Sequence, residues 1–282
     1  MKILSFQSAV AFGHVGNSAA VFPLQRMGLD VCPVDTVQFS NHPGYGTWKG
    51  ACLPAEQLAL VVEGLSEAGL LERCGAVLSG YLGQAATGAV LADAVGRIKA
   101  HHSEAIYLCD PVMGDDGTGL YVDPALPEIF STLLLPLADL ATPNRFELGI
   151  LTGLSIDSVE DAVRAANALL SRGAGAVVVT SLPAGENMIA CLAVTGDGAW
   201  MVRTPLLRFK IAPNGAGDLL SALLLGHRLK GRALPEALSM AVSSLYGVLD
   251  KTRQEGGREL ALVAAQNEIA VPTRFFPPLR LP

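Results

Sequence analysis

Charge is scarce in this chain of 282 residues: Asp, Glu, Lys and Arg make up only 16% of it, with a formal net charge of −6. There is no run of Lys or Arg, which argues against a nucleic-acid partner, because phosphate neutralisation needs a basic patch. The five cysteines (Cys32, Cys52, Cys74, Cys109, Cys191) are scattered, with no C-x-x-C pair. Such spacing suggests neither a zinc site nor a disulfide framework. The apolar start, Met1 to Phe6, breaks at Gln7 and Ser8, too short for a signal peptide. No apolar stretch approaches the roughly 20 residues that span a bilayer. The expected compartment is cytoplasmic, with no membrane partner. The P-loop pattern G-x-x-x-x-G-K-[ST] is also missing, so any phosphate chemistry must use another device.

What is present is apolar bulk, half of the residues, enough for a substantial core. With no repeat, low-complexity tract or linker, one domain over residues 1–282 is the economical expectation. Short β-type runs alternate with helical patterns. Runs at 3–6, 30–35, 76–79, 105–109, 137–142 and 176–180 read as strands. Stretches near 18–27, 87–99 and 158–171 read as helices. This rhythm predicts an α/β fold, a mainly parallel sheet with helices on both faces. After Thr180 the pattern changes. Runs 188–195 and 199–204 flank Gly196-Asp197-Gly198 and read as an antiparallel hairpin. Helical stretches near 216–229, 234–251 and 258–270 follow.

The most informative segment is Asn214-Gly215-Ala216-Gly217-Asp218, directly before the apolar run Leu219 to Leu225. Small residues allow a tight turn whose N–H groups converge at a helix N-terminus, a natural anion site. Asp218 sits beside it in the first turn. Donors for developing phosphate charge next to a carboxylate for a hydroxyl proton suit phosphoryl transfer. A Gly-rich helix start capped by Asp is the competing reading. A Rossmann fingerprint is disfavoured, since the third glycine is missing.

In parallel sheets, ligands bind beyond the carboxyl ends of the strands. Polar residues expected there are Ser8, Tyr81, Asp110, Asn144, Glu147, Thr180 and Ser181. Asp110 and Glu147 are the candidate metal anchors, since Mg²⁺ prefers carboxylate oxygens and keeps several waters. Asp110 also suits a turn before Pro111, and Asn144 with Glu147 also forms a capping-box pattern. The Gly-rich stretch 114–119 reads as irregular, either a lid or a plain connection. Tyr81, between Gly80 and Gly83, offers a ring face for stacking. His14 and His42 are expected to be structural; His101, His102 and His227 are expected on helix surfaces.

Taken together these phrases resemble the pyridoxal kinases of the ribokinase-like superfamily. The resemblance runs through Val15-Gly16-Asn17, Val37-Gln38-Phe39-Ser40-Asn41-His42, Gly44-Tyr45, Trp48-Lys49-Gly50 and Ser79-Gly80-Tyr81. It continues through Cys109-Asp110-Pro111-Val112, Thr142-Pro143-Asn144 with Glu147, and Gly215-Ala216-Gly217-Asp218. It implies a three-layer α/β/α sandwich, ATP-dependent phosphorylation of the pyridoxal 5′-hydroxyl, and a homodimer. It also implies Mg²⁺, with a monovalent cation such as K⁺ as a further candidate. By the same resemblance Asp218 is the catalytic base and Gly215, Ala216 and Gly217 hold the transferred group. Ser8, Pro43, Gly44 and Tyr81 fall on the vitamer side. Asp110, Thr142, Glu147, Thr180, Arg203, Thr204, Pro205, Leu206 and Asn214 fall on the nucleotide side.

Two positions depart from the pattern: Pro43 replaces a frequent Thr, and Ala9 a frequent His. Both bear on preference among pyridoxal, pyridoxine and pyridoxamine. The lid segment lacks the cysteine of some bacterial relatives, so no covalent lid adduct is expected. A hydroxymethylpyrimidine kinase and a non-catalytic pyridoxal phosphate binder are the alternatives. At a helix N-terminus, Asp218 is expected to be ionised and weakly basic.

Overall fold

The computed structural model describes residues 2–282. In chain order its strands are β1 (Lys2–Phe12), β2 (Asp30–Asn41), β3 (Gly50–Cys52), β4 (Cys74–Ser79), β5 (Ile106–Cys109), β6 (Gly114–Asp115), β7 (Gly119–Leu120), β8 (Leu140–Ala141), β9 (Val177–Pro183), β10 (Met188–Thr195), β11 (Gly198–Pro205) and β12 (Leu279–Arg280). The helices are α1 (Asn17–Arg26), α2 (Ala55–Glu67), α3 (Thr87–His101), α4 (Leu126–Ile129), α5 (Arg145–Thr152), α6 (Val159–Leu170), α7 (Ala216–Leu229), α8 (Leu234–Glu255) and α9 (Gln266–Ala270).

One ten-stranded sheet runs β3-β2-β1-β4-β5-β8-β9-β10-β11-β12. The pairs from β2 to β9 are parallel; the pairs beyond them on both sides are antiparallel. Strands buried on both faces must be apolar at every position, and their alternate residues feed two cores. Leu4, Phe6, Val77, Tyr107, Val177 and Val179 pack under α2, α3, α5 and α6. Ile3, Leu78, Leu108 and Val178 pack under α1, α7 and α8. The result is the expected three-layer ribokinase-like sandwich.

Several local expectations change. β1 does not stop at Phe6: it continues to Phe12 through a register shift between Gln7 and Ala9. Ser8 therefore sits at a bulge inside the strand, which re-aims its side chain. β2 likewise reaches Asn41. Stretch 114–119 is not irregular, because β6 and β7 pair as a small hairpin. The last helical stretch shrinks to α9, since 258–265 is mostly turns held by bonds such as Ala261 N–H to Thr252 Oγ1 at 2.9 Å. His227 is not on a surface: it is buried, and neither ring nitrogen has a partner. His101 and His102 are exposed, as expected.

Asn17 explains why its phrase matters for the fold. Its Oδ1 accepts from Ser5 Oγ at 2.7 Å, and its Nδ2 donates to Asp35 Oδ1 at 2.7 Å. One buried amide thus ties α1 to β1 and β2 at the sheet end where the site lies.

Candidate active site

The glycine turn is built as the sequence suggests. Gly215 caps α7 with φ at 86°, a left-handed conformation that side chains disfavour. A Cβ there would overlap the His14 carbonyl oxygen, so the loop after β1 packs directly on the turn. No side chain caps the helix, leaving its first N–H groups open to an anion. The following Leu219 to Leu225 are all buried, which anchors this end of α7 in the core.

Three carboxylates gather beside the turn. Asp110 follows β5, its N–H bound to the Ser79 carbonyl at 2.9 Å. Its Oδ2 accepts from Ser221 Oγ at 2.9 Å, and Ser221 Oγ lies 2.9 Å from Thr142 Oγ1. Glu147 completes a capping box with Asn144, accepting the Asn144 N–H at 2.8 Å and the Met113 N–H at 2.9 Å. A Cβ on Gly217 would stand 4.0 Å from Asp110 Oδ2, so the turn and this acid face each other. None of the ion pairs among the described residues includes Asp110, Glu147 or Asp218.

Unneutralised burial has the expected electrostatic result. Burial pushes the Asp110 carboxyl well up, and the charges of Glu147 and Asp218 add to this. Burial also raises Glu147, against its backbone N–H donors. Asp218 is raised too, by burial, with the Gly16 N–H pulling the other way. Against the expectation of a weakly basic Asp218, burial therefore sets the direction upward.

These groups open into a cavity of about 510 Å³. It is lined by Ser8, Pro43, Gly44, Tyr81, Asp110, Thr142, Glu147, Thr180, Asn214, Gly215, Gly217 and Asp218, all singled out from the sequence. Tyr81 packs on an apolar wall of Val10, Val15, Val37 and Phe39. Thr180 lies inside β9 rather than after it, bridged to Asn144. His42 also lines the cavity, its Nδ1 accepting the Gly44 N–H at 3.1 Å.

A second cavity of about 270 Å³ adjoins the first, sharing Thr180, Ser181 and Gly217 with it. Thr204, Pro205 and Leu206 line it as expected on the nucleotide side, and Ala216, expected at the transferred group, lines this cavity rather than the larger one; Arg203 lines neither. Arg203 is exposed on β11 next to buried Thr204, because alternate strand residues face opposite ways. Leu207 and Phe209, from the segment 203–214 that the resemblance sets beside the nucleotide, complete an apolar wall with Tyr246, which sequence reasoning missed. Tyr246 comes from α8, and no local pattern links it to β11. Ser181, at the junction, holds a positive φ of 61°.

The β6–β7 hairpin stands over the larger cavity. Arg145 grips it through Asp116 Oδ2, with Nε at 3.0 Å and Nη2 at 2.8 Å, and Asn144 Nδ2 donates to the Gly114 carbonyl at 2.8 Å. Tyr121, unmarked by any motif, lines the cavity just after the hairpin. Burial and the Glu147 and Asp218 charges raise its phenol.

A family model described as phosphomethylpyrimidine kinase matches residues 59–261. The chain is 50% identical to "Pyridoxal kinase PdxY" of Rubrobacter xylanophilus, covering 100% of this chain and 98% of that protein. It is 46% identical to the protein of the same name from Deinococcus radiodurans, covering 98% and 95%. Among solved structures, a pyridoxal kinase from Leishmania donovani in complex with ADP and pyridoxamine superposes with a TM-score of 0.93. That match has 30% identity and covers 100% of this chain and 99% of that one.

Proposed function

The chain belongs to the pyridoxal kinase family, and we infer that it transfers the terminal phosphoryl group of ATP to the 5′-hydroxyl of pyridoxal. The observation that carries this is one cavity in which an open helix N-terminus meets an uncompensated carboxylate, Asp218. The apolar neighbouring cavity suits a purine, and the shared Gly217 lies where the phosphates would pass. The larger cavity, with Tyr81 on its wall, suits a flat heteroaromatic alcohol.

In this reading Asp218 orients the hydroxyl and accepts its proton, and its raised carboxyl suits that task better than an ordinary aspartate would. The N–H groups after Gly215 hold the negative charge of the moving phosphoryl group. Asp110 and Glu147 fit a divalent ion, being buried acids without a cation partner. Glu147 spends both oxygens on backbone N–H groups, which suits contact through water. No group of three or more His, Cys, Asp or Glu that could hold a metal occurs among the described residues. An ion held by Asp110 and Glu147 would take its other ligands from water and phosphate, as Mg²⁺ does. When bound with ATP, Mg²⁺ neutralises phosphate charge; K⁺ is a candidate second ion.

The rest of the reading is a single kinase domain, a cytoplasmic homodimer serving vitamin B6 salvage, and acceptance of pyridoxine and pyridoxamine. The continuous sheet supports the single domain. No described helix is long and apolar enough to cross a membrane. The rival is a hydroxymethylpyrimidine kinase, which shares the glycine turn. Relatives near half identity over the whole chain favour the pyridoxal branch. A panel of pyridoxal, pyridoxine, pyridoxamine and hydroxymethylpyrimidine with ATP and Mg²⁺, followed by ADP release, tests this. Turnover of pyridoxal is expected; turnover of the pyrimidine alone overturns the assignment, and stoichiometric binding without turnover favours a pure binder.

A further inference from the structure

Outside the carboxylate cluster, one acid holds the rim of the larger cavity together. Glu259 lies between α8 and α9, next to Leu260, which is buried in the core beneath α7. Its Oε2 accepts the His14 N–H at 2.9 Å, and its Oε1 accepts the Tyr45 hydroxyl at 2.7 Å. None of the ion pairs among the described residues includes it, so both oxygens serve these two loops. The fit to the first loop is close: a Cβ on Gly13, whose φ is 106°, would overlap the Glu259 carboxylate. Arg258 grips the second loop, its guanidinium 3.9 Å over the Tyr45 ring and bonded to the Gly44 carbonyl.

Both loops lead into the site. His14 presses its carbonyl on Gly215 at the anion turn, and Gly16, two residues on, faces Asp218 with its N–H. Tyr45 ends the turn whose Pro43 and Gly44 line the cavity wall. One carboxylate therefore fixes the spacing between the vitamer wall and the backbone that supports the base.

We propose that Glu259 is a positioning residue for pyridoxal phosphorylation, a clamp that sets the width of the vitamer end and the placement of Asp218. This rests on the reading of the larger cavity as the pyridoxal site. A residue that acts by geometry changes the pyridoxal step and leaves alone the purine end, whose lining includes neither of these two loops. Losing Glu259 frees two loops at once, while losing the Tyr45 hydroxyl frees one.

The test is steady-state kinetics on wild type, Glu259→Ala, Glu259→Gln, Tyr45→Phe and the Glu259→Ala/Tyr45→Phe pair, varying pyridoxal and MgATP separately, with a thermal melt of each. Glu259→Ala is expected to raise KM for pyridoxal about tenfold and lower kcat severalfold, with KM for MgATP within about twofold. Glu259→Gln keeps the bulk and one carbonyl oxygen, so it falls between wild type and Glu259→Ala. Tyr45→Phe shifts KM for pyridoxal less, and the pair is no worse than Glu259→Ala alone, because they share one interaction. Should Glu259→Ala not fold, Glu259→Gln and Tyr45→Phe must still show the split between the two KM values. Unchanged kinetics in the folded variants overturns the clamp, as does an equal rise in both KM values with a lowered melt, the mark of a merely structural role. A wild type inactive on pyridoxal sinks the functional reading; an active wild type with indifferent variants sinks the clamp alone.

Discussion

Two alanine substitutions in the glycine turn should separate folding from catalysis. At Gly215 the φ of 86° costs a side chain about 1–3 kcal/mol of strain. The new methyl also overlaps the His14 carbonyl oxygen, which is backbone and cannot rotate away. For a chain of this size that strain lowers the melting temperature by roughly 2–5 °C. Clearing the overlap moves the turn or the β1 loop by about 1 Å, enough to cost about 10²-fold in turnover. At Gly217 the backbone is helical and a Cβ meets only Asp110 Oδ2, at an ordinary 4.0 Å. Alanine there is better than glycine for the helix by up to about 1 kcal/mol, so the melt should hold or rise. Its methyl nevertheless enters the space between turn and acid, so turnover should fall at least about tenfold through lost positioning. Melting curves beside single-turnover phosphorylation decide the matter. A Gly217→Ala enzyme with normal turnover refutes the placement of the phosphoryl group, and a Gly215→Ala protein with an unchanged melt refutes the strain argument.

Acid should weaken the fold through His227. Burial, with Arg232 and Lys230 nearby, lowers its imidazole from 6.5 to about 4, so the native state binds fewer protons than the unfolded chain in that window. Its contribution is complete above pH 6.5 and is lost as pH falls toward 4, by at most about 3 kcal/mol. A pH series of denaturant melts should show this slope in wild type and a flatter one in His227→Leu. Asp110→Ala should weaken MgATP use while leaving pyridoxal binding largely intact, read by separate titrations; equal losses would mark a structural role before Pro111. Because the Asp110 carboxyl is raised, it opposes folding once ionised. Asp110→Asn should therefore melt no lower than wild type at neutral pH without ligands, and a clear drop contradicts the electrostatic account.

The parts legible in the sequence were those encoded over a few residues. The capping box at Asn144 and Glu147, the hairpin around Asp197 and the glycine turn before Leu219 each carry their own local physics. The alternation of strands and helices was enough for the layers of the sandwich. Misreadings occurred where distant contacts override local pattern. Ser8 looked like a residue beyond a strand because a bulge leaves no mark in composition. Polar His227 was assigned to a surface, yet α1 and its surroundings cover that face; Met27 and Leu24 pack at the adjacent Gly226. Arg203 was grouped with its neighbours, although strand geometry turns it outward. Tyr121, Tyr246 and Glu259 were missed because each meets the site only after the chain has folded.

The central claim is that Asp218 works as a base beside an anion hole made of backbone. Asp218→Asn keeps the size and removes the charge, so single-turnover phosphorylation of pyridoxal by this variant is the most direct measurement. The account predicts a loss of about 10²-fold or more, with MgATP binding retained and the melt not lowered. Pyridoxal affinity should weaken by about 1–2 kcal/mol at most, through one hydrogen bond. An Asp218→Asn protein that phosphorylates pyridoxal at near the wild-type rate would contradict the mechanism outright.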